Sequence, residues 1–179
     1  MTIQGTRRLY ESITLTKPSQ SKMWVGIWLL GIAFYIFMGI SIWIEGISTL
    51  SKAESPANLL VFSKPSMKTF VAVPIFILAS GIQHDCHEYL ASLKKYTLPE
   101  HHLFRSVVCP HYTSECFIYL AIAILAAPKG QMLNGTVLSG MGFVVSNLAV
   151  TADSTRKWYV EKFGAEKLKG RWRMVPYIY

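Results

Sequence analysis

The stretch from Gln83 to Glu115 carries the side chains of this sequence that could do chemistry. It is a polar segment between apolar segments, and it contains all five histidines and two of the three cysteines. Imidazole, thiol, amide and carboxylate groups at this density are typical of a metal site or of a site for a polar ligand. Together with the basic C-terminal tail, the stretch predicts a site for an anionic cofactor at a membrane surface.

Helical spacing aligns three of these side chains. If residues 83–95 form a helix with about 100° per residue, Gln83, His87 and Lys94 lie on one face. Such a face could hydrogen-bond an amide or a ribose at one end and hold a phosphate at the other. A solvated helix face would carry the same polar residues, so the spacing alone leaves both interpretations open.

His111 and Glu115 form a second pair, at i and i+4 of the helix predicted to enter the membrane. An ionisable residue at a membrane boundary is a site candidate. A carboxylate near a helix start is also favoured by the helix dipole, so the alternative is that Glu115 caps the helix. Further on, Arg156, Lys157 and the run Arg171–Arg173 could bind phosphate or act as positive membrane anchors.

Metal binding is the weaker explanation of the histidines. His84, Cys86 and His87 are ligand types, but their spacing has no second pair to complete a zinc site. The HxxxH and HxxHH boxes of membrane di-iron oxygenases do not occur. The sequence therefore predicts no metal.

Composition indicates a membrane protein. Of the 179 residues 51% are apolar, the mean hydropathy is +0.32, and the charged share of 16% is below the ~25% of soluble domains. The net charge of +8 comes from basic residues that flank apolar runs, which favours membrane topology over nucleic-acid binding. An odd cysteine count without framework spacing argues against a disulfide-stapled secreted protein.

Four apolar segments predict an all-α, polytopic membrane helix bundle that forms one domain over residues 1–179. The predicted spans are about 24–44, 69–83, 116–127 and 131–152, the third being short. An even number of spans puts the N-terminus, residues 83–115 and the C-terminal tail on one side. That side holds 14 of the 18 Lys and Arg residues, so we expect it to be cytosolic. Leu59–Phe62 is expected at the interface. Asn134 lies in a glycosylation pattern, but so close to the bilayer that we do not expect modification.

Four motifs stand in an order that resembles a known family: QHDCHEYLASLKKYTLP, LFRSVVCPHYTSE, TRKWYVEKFG and RWRMVPYIY. The sequence resembles the steroid 5α-reductase family, most closely its fungal-type polyprenol (polyprenal) reductase branch. The resemblance covers essentially the whole chain, as the C-terminal part of a membrane fold of about seven helices. It implies a multi-pass protein of the endoplasmic reticulum membrane that binds NADPH and transfers hydride to an activated double bond.

The resemblance also implies site residues. Eight positions match cofactor-binding positions of the family, namely Gln83, His87, Lys94, Tyr96, His111, Glu115, Arg156 and Tyr159. Lys94 replaces the usual Arg and Arg156 the usual His, and a lysine cannot bind phosphate in the two-pronged manner of arginine. The catalytic residues stay unassigned: Gly5 stands at the position of the substrate-side Tyr, and the substrate-side Glu of an early helix has no counterpart. We therefore expect the chain to be truncated by about two N-terminal helices.

The function that the resemblance implies is NADPH-dependent reduction of the α-isoprene double bond of a long-chain polyprenoid lipid, in dolichol synthesis for protein N-glycosylation. No nucleic-acid partner is expected. Two alternatives stay open. One is a membrane methyltransferase in which His111 and Glu115 would hold S-adenosylmethionine, and the other is a truncated, non-catalytic membrane remnant.

Overall fold

The structure is a computed structural model that describes residues 2–17, 22–47, 51 and 65–179; Leu59–Phe62, expected at the interface, lie outside them. Within these ranges the chain is helical without any strand, which confirms the predicted all-α class. The helices are α1 (Thr2–Thr14), α2 (Val25–Ile44), α3 (Met67–Ser92), α4 (His102–Ser106), α5 (Pro110–Leu125) and α6 (Gly135–Phe163), followed by a 3-10 turn at Ala165–Leu168.

Three helices of the described residues, α2, α3 and α6, are long and apolar enough to cross a membrane. The predicted span 24–44 coincides with α2. The predicted spans 69–83 and 131–152 are parts of α3 and α6, which continue into polar sequence. The predicted span 116–127 belongs largely to α5, whose 16 residues reach about 24 Å, short of a ~30 Å hydrocarbon core. A four-span topology therefore stays a prediction.

Local sequence explains where these helices begin and end. The Ser66 hydroxyl accepts a hydrogen bond from the Thr69 amide at the start of α3, and Pro110 opens α5 at a position where its missing N–H is harmless. Leu93 adopts an extended backbone that ends α3. Gly164, with φ of +90°, ends α6, because glycine enters this region without a steric penalty.

Helix α5 is the central element of the bundle and packs against both α3 and α6. Its residues Ile118, Ala121 and Ala123 are completely buried. Ala79 of α3 lies in the same cluster, so small side chains allow the helices to approach closely. This packing fixes the direction in which the polar residues at the start of α5 point.

Polar contacts tie the helices together at the end of the bundle away from the histidines. The Glu45 carboxylate accepts hydrogen bonds of 2.6 Å from both the amide and the hydroxyl of Thr136 at the start of α6. Lys68 donates to the carbonyls of Ala127 and Pro128 after α5, where the helix dipole favours a cation. Asn134 is fully buried and caps α6 by accepting from the Val137 amide at 2.8 Å. A glycan on this side chain is incompatible with the fold.

The C-terminal tail is bonded to the residues before α5 at the opposite end. The Val108 amide donates to the Trp172 carbonyl at 2.8 Å, and the Thr113 hydroxyl donates to the Met174 carbonyl at 2.5 Å. The Arg171 guanidinium donates to the carbonyls of Pro99 and Phe104, which gives this arginine a structural role. Helix α1 docks at the same end through its contacts with α3, so the N-terminal region, residues 83–115 and the tail lie at one end of the bundle; that this end is cytosolic stays a prediction.

Candidate functional site

A cavity of about 290 Å³ lies where the first polar residues of α3 and α5 meet α1, α2 and α6. This central cavity is near the lower end of the ~300–1,000 Å³ range of ligand pockets. Its ionisable and amide side chains include Arg8, Gln83, His87, His111 and Glu115. Its apolar wall, from α2 and α6, includes Leu30, Phe34, Val144 and Leu148. The cavity thus has one polar and one apolar side.

Gln83 joins three elements at the polar side. Its carboxamide is buried, accepts a hydrogen bond from Arg7, and donates to the Glu115 carboxylate. The carboxamide nitrogen also lies 3.5 Å from the His111 carbonyl. Glu115 is in the second turn of α5 rather than at its start, so the interpretation of Glu115 as a helix cap is wrong. The carboxylate instead accepts a hydrogen bond from Gln83 of α3.

The imidazoles of His87 and His111 lie next to each other, with their ring centres 5.5 Å apart. Burial, together with the charges of His87 and Arg8, lowers the pKa of His111 to about 3, so this ring is neutral near pH 7. The buried Nδ1 atom of His111 has no hydrogen-bond partner within the described residues. A buried nitrogen of this kind is a place where a ligand group can be satisfied.

Glu11 of α1 is the hub of a buried charge network beside the cavity. Its carboxylate lies 2.5 Å from Arg7, 2.7 Å from Arg8, and 2.9 Å from both His84 and His87. Burial alone would raise the pKa of Glu11, but its two histidine and two arginine partners outweigh burial and lower the pKa from 4.5 to about 2. The carboxylate therefore stays charged, so it accepts hydrogen bonds and donates none.

The Glu11 carboxylate also orients His87. The Nδ1 atom of His87 lies 2.9 Å from Glu11 and 3.0 Å from Arg8. The carboxylate can only accept and the Arg8 guanidinium can only donate, so these two contacts hold the Nδ1 edge of the His87 ring against α1. Two guanidinium groups at the same carboxylate also make this cluster unfavourable for a metal cation. No group of three metal ligands occurs among the described residues.

Arg7, Arg8 and Glu11 are functional candidates that the sequence analysis missed. The motif RRLYE carried a usable signal, because Glu11 follows Arg7 by four residues and Arg8 by three, the spacings of helical ion pairs. What the motif could not reveal is that this polar face turns inward and meets Gln83 and the two histidines of α3 across more than 70 residues.

Four of the eight predicted residues lie outside the lining of the central cavity. The prediction that Lys94 shares the face of Gln83 and His87 is wrong, because the extended backbone of Leu93 ends α3 before it. Tyr96 is exposed, with φ of +66°, and packs near Trp158 and under Lys162.

The other two predicted residues outside the cavity belong to α6. Arg156 is partly exposed on this helix. Tyr159 packs in the second apolar cluster, which contains Leu98 and Cys109. The structure therefore brings together Gln83, His87, His111 and Glu115, and holds the remaining four residues elsewhere at the same end of the bundle.

Two further cavities adjoin the central one. The first, the side cavity, has a volume of about 410 Å³ and shares Arg8, Glu115 and Tyr119 with the central cavity. Gly5 lines it, and a Cβ added at Gly5 would meet no atom within 4 Å, so the space beside this residue is open. The second, the α1–α3 cavity, is about 450 Å³, shares Arg8 and His87, and extends to Lys17.

Comparisons with known proteins agree on one kind of relative. A family model described as 3-oxo-5-alpha-steroid 4-dehydrogenase matches residues 21–179. The chain is 34% identical over 173 residues to polyprenal reductase of Saccharomyces cerevisiae, which covers 96% of this chain and 60% of that protein. It is 28% identical over 206 residues to polyprenal reductase 1 of Oryza sativa subsp. indica, and this match covers 99% of this chain and 57% of that protein. It is 27% identical over 188 residues to polyprenal reductase of Caenorhabditis elegans, and this match covers 99% of this chain and 58% of that protein. The chain thus spans 57–60% of the length of these relatives. No solved structure matches it.

Proposed function

Because the chain belongs to the 3-oxo-5-alpha-steroid 4-dehydrogenase (steroid 5α-reductase) family, as the resemblance predicted, we propose that it forms part of an NADPH-dependent reductase that saturates the α-isoprene double bond of a polyprenoid. The names of the relatives support this substrate class. The observation that carries the proposal is the central cavity, whose polar side lies at the ends of apolar helices. A water-soluble cofactor and a membrane lipid can meet at such a boundary.

The residues of the cavity fit the nicotinamide end of the cofactor. A carboxamide needs both a donor and an acceptor, and the cavity offers the carboxylate of Glu115 and the unpartnered Nδ1 of His111. The apolar wall of Phe34 and Leu148 suits the face of an aromatic ring. When bound, NADPH supplies the hydride that reduces the lipid.

The phosphates need cations beyond the central cavity. The α1–α3 cavity continues from Arg8 along α1 to Lys17, whose ammonium donates to the Leu93 carbonyl at 3.1 Å. Lys94 follows directly. Cations at both ends of this cavity would hold the pyrophosphate and the 2′-phosphate, because Arg and Lys form strong charge-assisted hydrogen bonds with phosphate oxygens. Tyr96, Arg156 and Tyr159 remain candidates for the adenosine end.

Reaction chemistry favours an aldehyde over an alcohol as the substrate. Hydride addition to a carbon–carbon double bond leaves an electron pair on the neighbouring carbon. A conjugated carbonyl takes up this charge on its oxygen, whereas an allylic alcohol cannot. We therefore propose polyprenal as the substrate, in agreement with the names of the relatives. Its product would serve dolichol synthesis for protein N-glycosylation, and the protein would lie in the endoplasmic reticulum membrane with its basic end in the cytosol.

Ligand binding by the chain in lipid nanodiscs tests the cofactor. We expect NADPH to raise the unfolding temperature and to change tryptophan fluorescence, and S-adenosylmethionine to do neither. Glu115→Gln should weaken NADPH binding, because a ligand loses its anionic acceptor. Glu88→Gln is the matched control, because Glu88 is exposed on the same helix as Gln83. A response to S-adenosylmethionine without one to NADPH would contradict the proposal and favour the methyltransferase.

Turnover tests the reaction. Membranes that contain the chain are given NADPH with polyprenal or polyprenol, and the saturated product is measured by mass spectrometry. Saturation of polyprenal is the expected result. NADPH binding without turnover, followed by turnover once the chain is joined to the N-terminal region of the yeast relative, would support the non-catalytic alternative.

A further inference from the structure

Tyr119 stands at the boundary between the central cavity and the side cavity and lines both. It lies on α5 one turn beyond Glu115 and is 4% exposed. Phe34 contacts its ring edge-on, with ring centres 6.0 Å apart, and the ring belongs to the main apolar cluster. The position of the phenol is therefore fixed by packing.

The hydroxyl of Tyr119 makes no hydrogen bond to any residue that the structure describes, although its ring is buried. The oxygen is not among the fully enclosed atoms without a partner, so it is open to the cavities that this residue lines. Other polar groups nearby are already engaged: Gln83 with Arg7 and Glu115, and Arg8 with Glu11. The phenol is thus a neutral donor at a place where two cavities meet.

We propose that Tyr119 is a catalytic residue whose hydroxyl donates a hydrogen bond to the carbonyl oxygen of an α,β-unsaturated aldehyde seated in the side cavity. This inference rests on the proposed reductase function and extends it to the residue that binds the reacting group. The open space at Gly5 leaves room for the aldehyde and its first isoprene unit. The central cavity keeps the nicotinamide on the other side of the same phenol.

The reaction balances with this role. Reduction adds hydride from the dihydronicotinamide to the β-carbon, the electron pair of the C=C bond moves toward the carbonyl oxygen, and the dinucleotide leaves oxidised. The Tyr119 hydroxyl stabilises the negative charge on that oxygen. A proton from water then reaches the α-carbon, so the aldehyde is restored with a saturated C–C bond. A donor aimed at developing charge acts in the transition state rather than in the ground state.

Tyr119→Phe tests the role, because it removes only a hydroxyl without a protein partner. With farnesal, a short unsaturated isoprenoid aldehyde, as the probe, we expect kcat to fall about 10²–10³-fold, the usual effect of losing one such donor. The affinity for NADPH and the unfolding temperature should stay at the wild-type values. Tyr10→Phe is the matched control with unchanged kcat, because Tyr10 is exposed on the outer face of α1.

Tyr35→Phe tests the competing donor, because Tyr35 also lines both cavities but is 56% exposed. A kcat for Tyr119→Phe within about threefold of wild type, or a loss that falls on Tyr35→Phe instead, would overturn the inference. A wild-type protein that binds NADPH and reduces farnesal, with Tyr119→Phe equally active, refutes only the role of Tyr119. A wild-type protein that does neither refutes the proposed function as well.

Discussion

Replacement of Glu11 by glutamine tests whether a buried charge holds α1 in place. The substitution keeps the size of the side chain but leaves Arg7 and Arg8 without their counter-ion, at contacts of 2.5 and 2.7 Å. Breaking a fully buried ion pair costs about 3–5 kcal/mol. The side chains of Arg8 and His84 are 42% and 35% exposed, so water screens part of this cost, and we expect about 2 kcal/mol.

The pH dependence gives a second, independent estimate for Glu11. Its pKa falls from 4.5 to about 2 on folding, which corresponds to about 3 kcal/mol before screening and about 1–2 kcal/mol after it. Because the folded-state pKa is the lower one, this stability is present above pH 4.5 and is lost as the pH falls toward 2. Glu11→Gln should remove that part of the acid sensitivity.

Thermal unfolding in nanodiscs measures both effects. For a chain of this size about 2 kcal/mol lowers the unfolding temperature by about 4–8 °C at neutral pH. Hydrogen exchange should show that α1 loses protection first, because its described polar contacts with α3 are made by Arg7, Arg8 and Glu11, and Glu11 pairs with both arginines. Glu88→Gln, on the exposed face of α3, is the control. If Glu11→Gln unfolds within 1 °C of this control, at neutral and acid pH alike, the network does not hold α1.

Three further substitutions test other parts of the structure. Gln83→Leu should cost about 1–3 kcal/mol, read as a lower unfolding temperature, because it removes a buried acceptor of Arg7 and the amide donor of Glu115; no change would contradict its bridging role. His111 is neutral in the folded protein but takes up a proton when the chain unfolds, so wild-type stability should decrease as the pH is lowered from 6.5 to 5, and the decrease should be smaller in His111→Asn. Equal dependence of stability on pH in the two proteins would refute this. Asn134→Ala should cost about 1 kcal/mol through the lost helix cap, and glycosidase should leave the wild-type mass unchanged; a mass decrease would refute the buried position.

Local sequence signals predicted the parts of the site that lie within single helices. The i, i+4 relation of His111 and Glu115 holds in α5, and Gln83 and His87 share the cavity face of α3. Such relations follow from the 3.6-residue period alone. Lys94 shows the limit of the method, because periodicity does not reveal where a helix ends, and the extended backbone at Leu93 has no strong sequence signal such as Gly or Pro.

Contacts distant in sequence were beyond the reach of pattern analysis. The tail was expected to bind phosphate or anchor to the membrane, yet Arg171 and Arg173 bond to carbonyls of the chain and to Asp153. A basic residue in sequence looks the same whether its partner is a lipid, a ligand or a backbone carbonyl. Only the fold shows that the tail lies beside residues 106–113 and fixes the start of α5.

Helix α1 explains why the charge network is buried at all. Its apolar side chains Ile3, Tyr10 and Ile13 are 59–74% exposed, whereas Gln4 and Glu11 are buried against the bundle. This is the reverse of a soluble amphipathic helix, and it is the arrangement expected where the outer surroundings are apolar. A helix with its polar face inward cannot be held by the hydrophobic effect, so hydrogen bonds and ion pairs must hold it. Since those same groups orient His87 and Gln83, the docking of α1 and the geometry of the cavity are one structural property, and a substitution that weakens the first should also weaken cofactor binding.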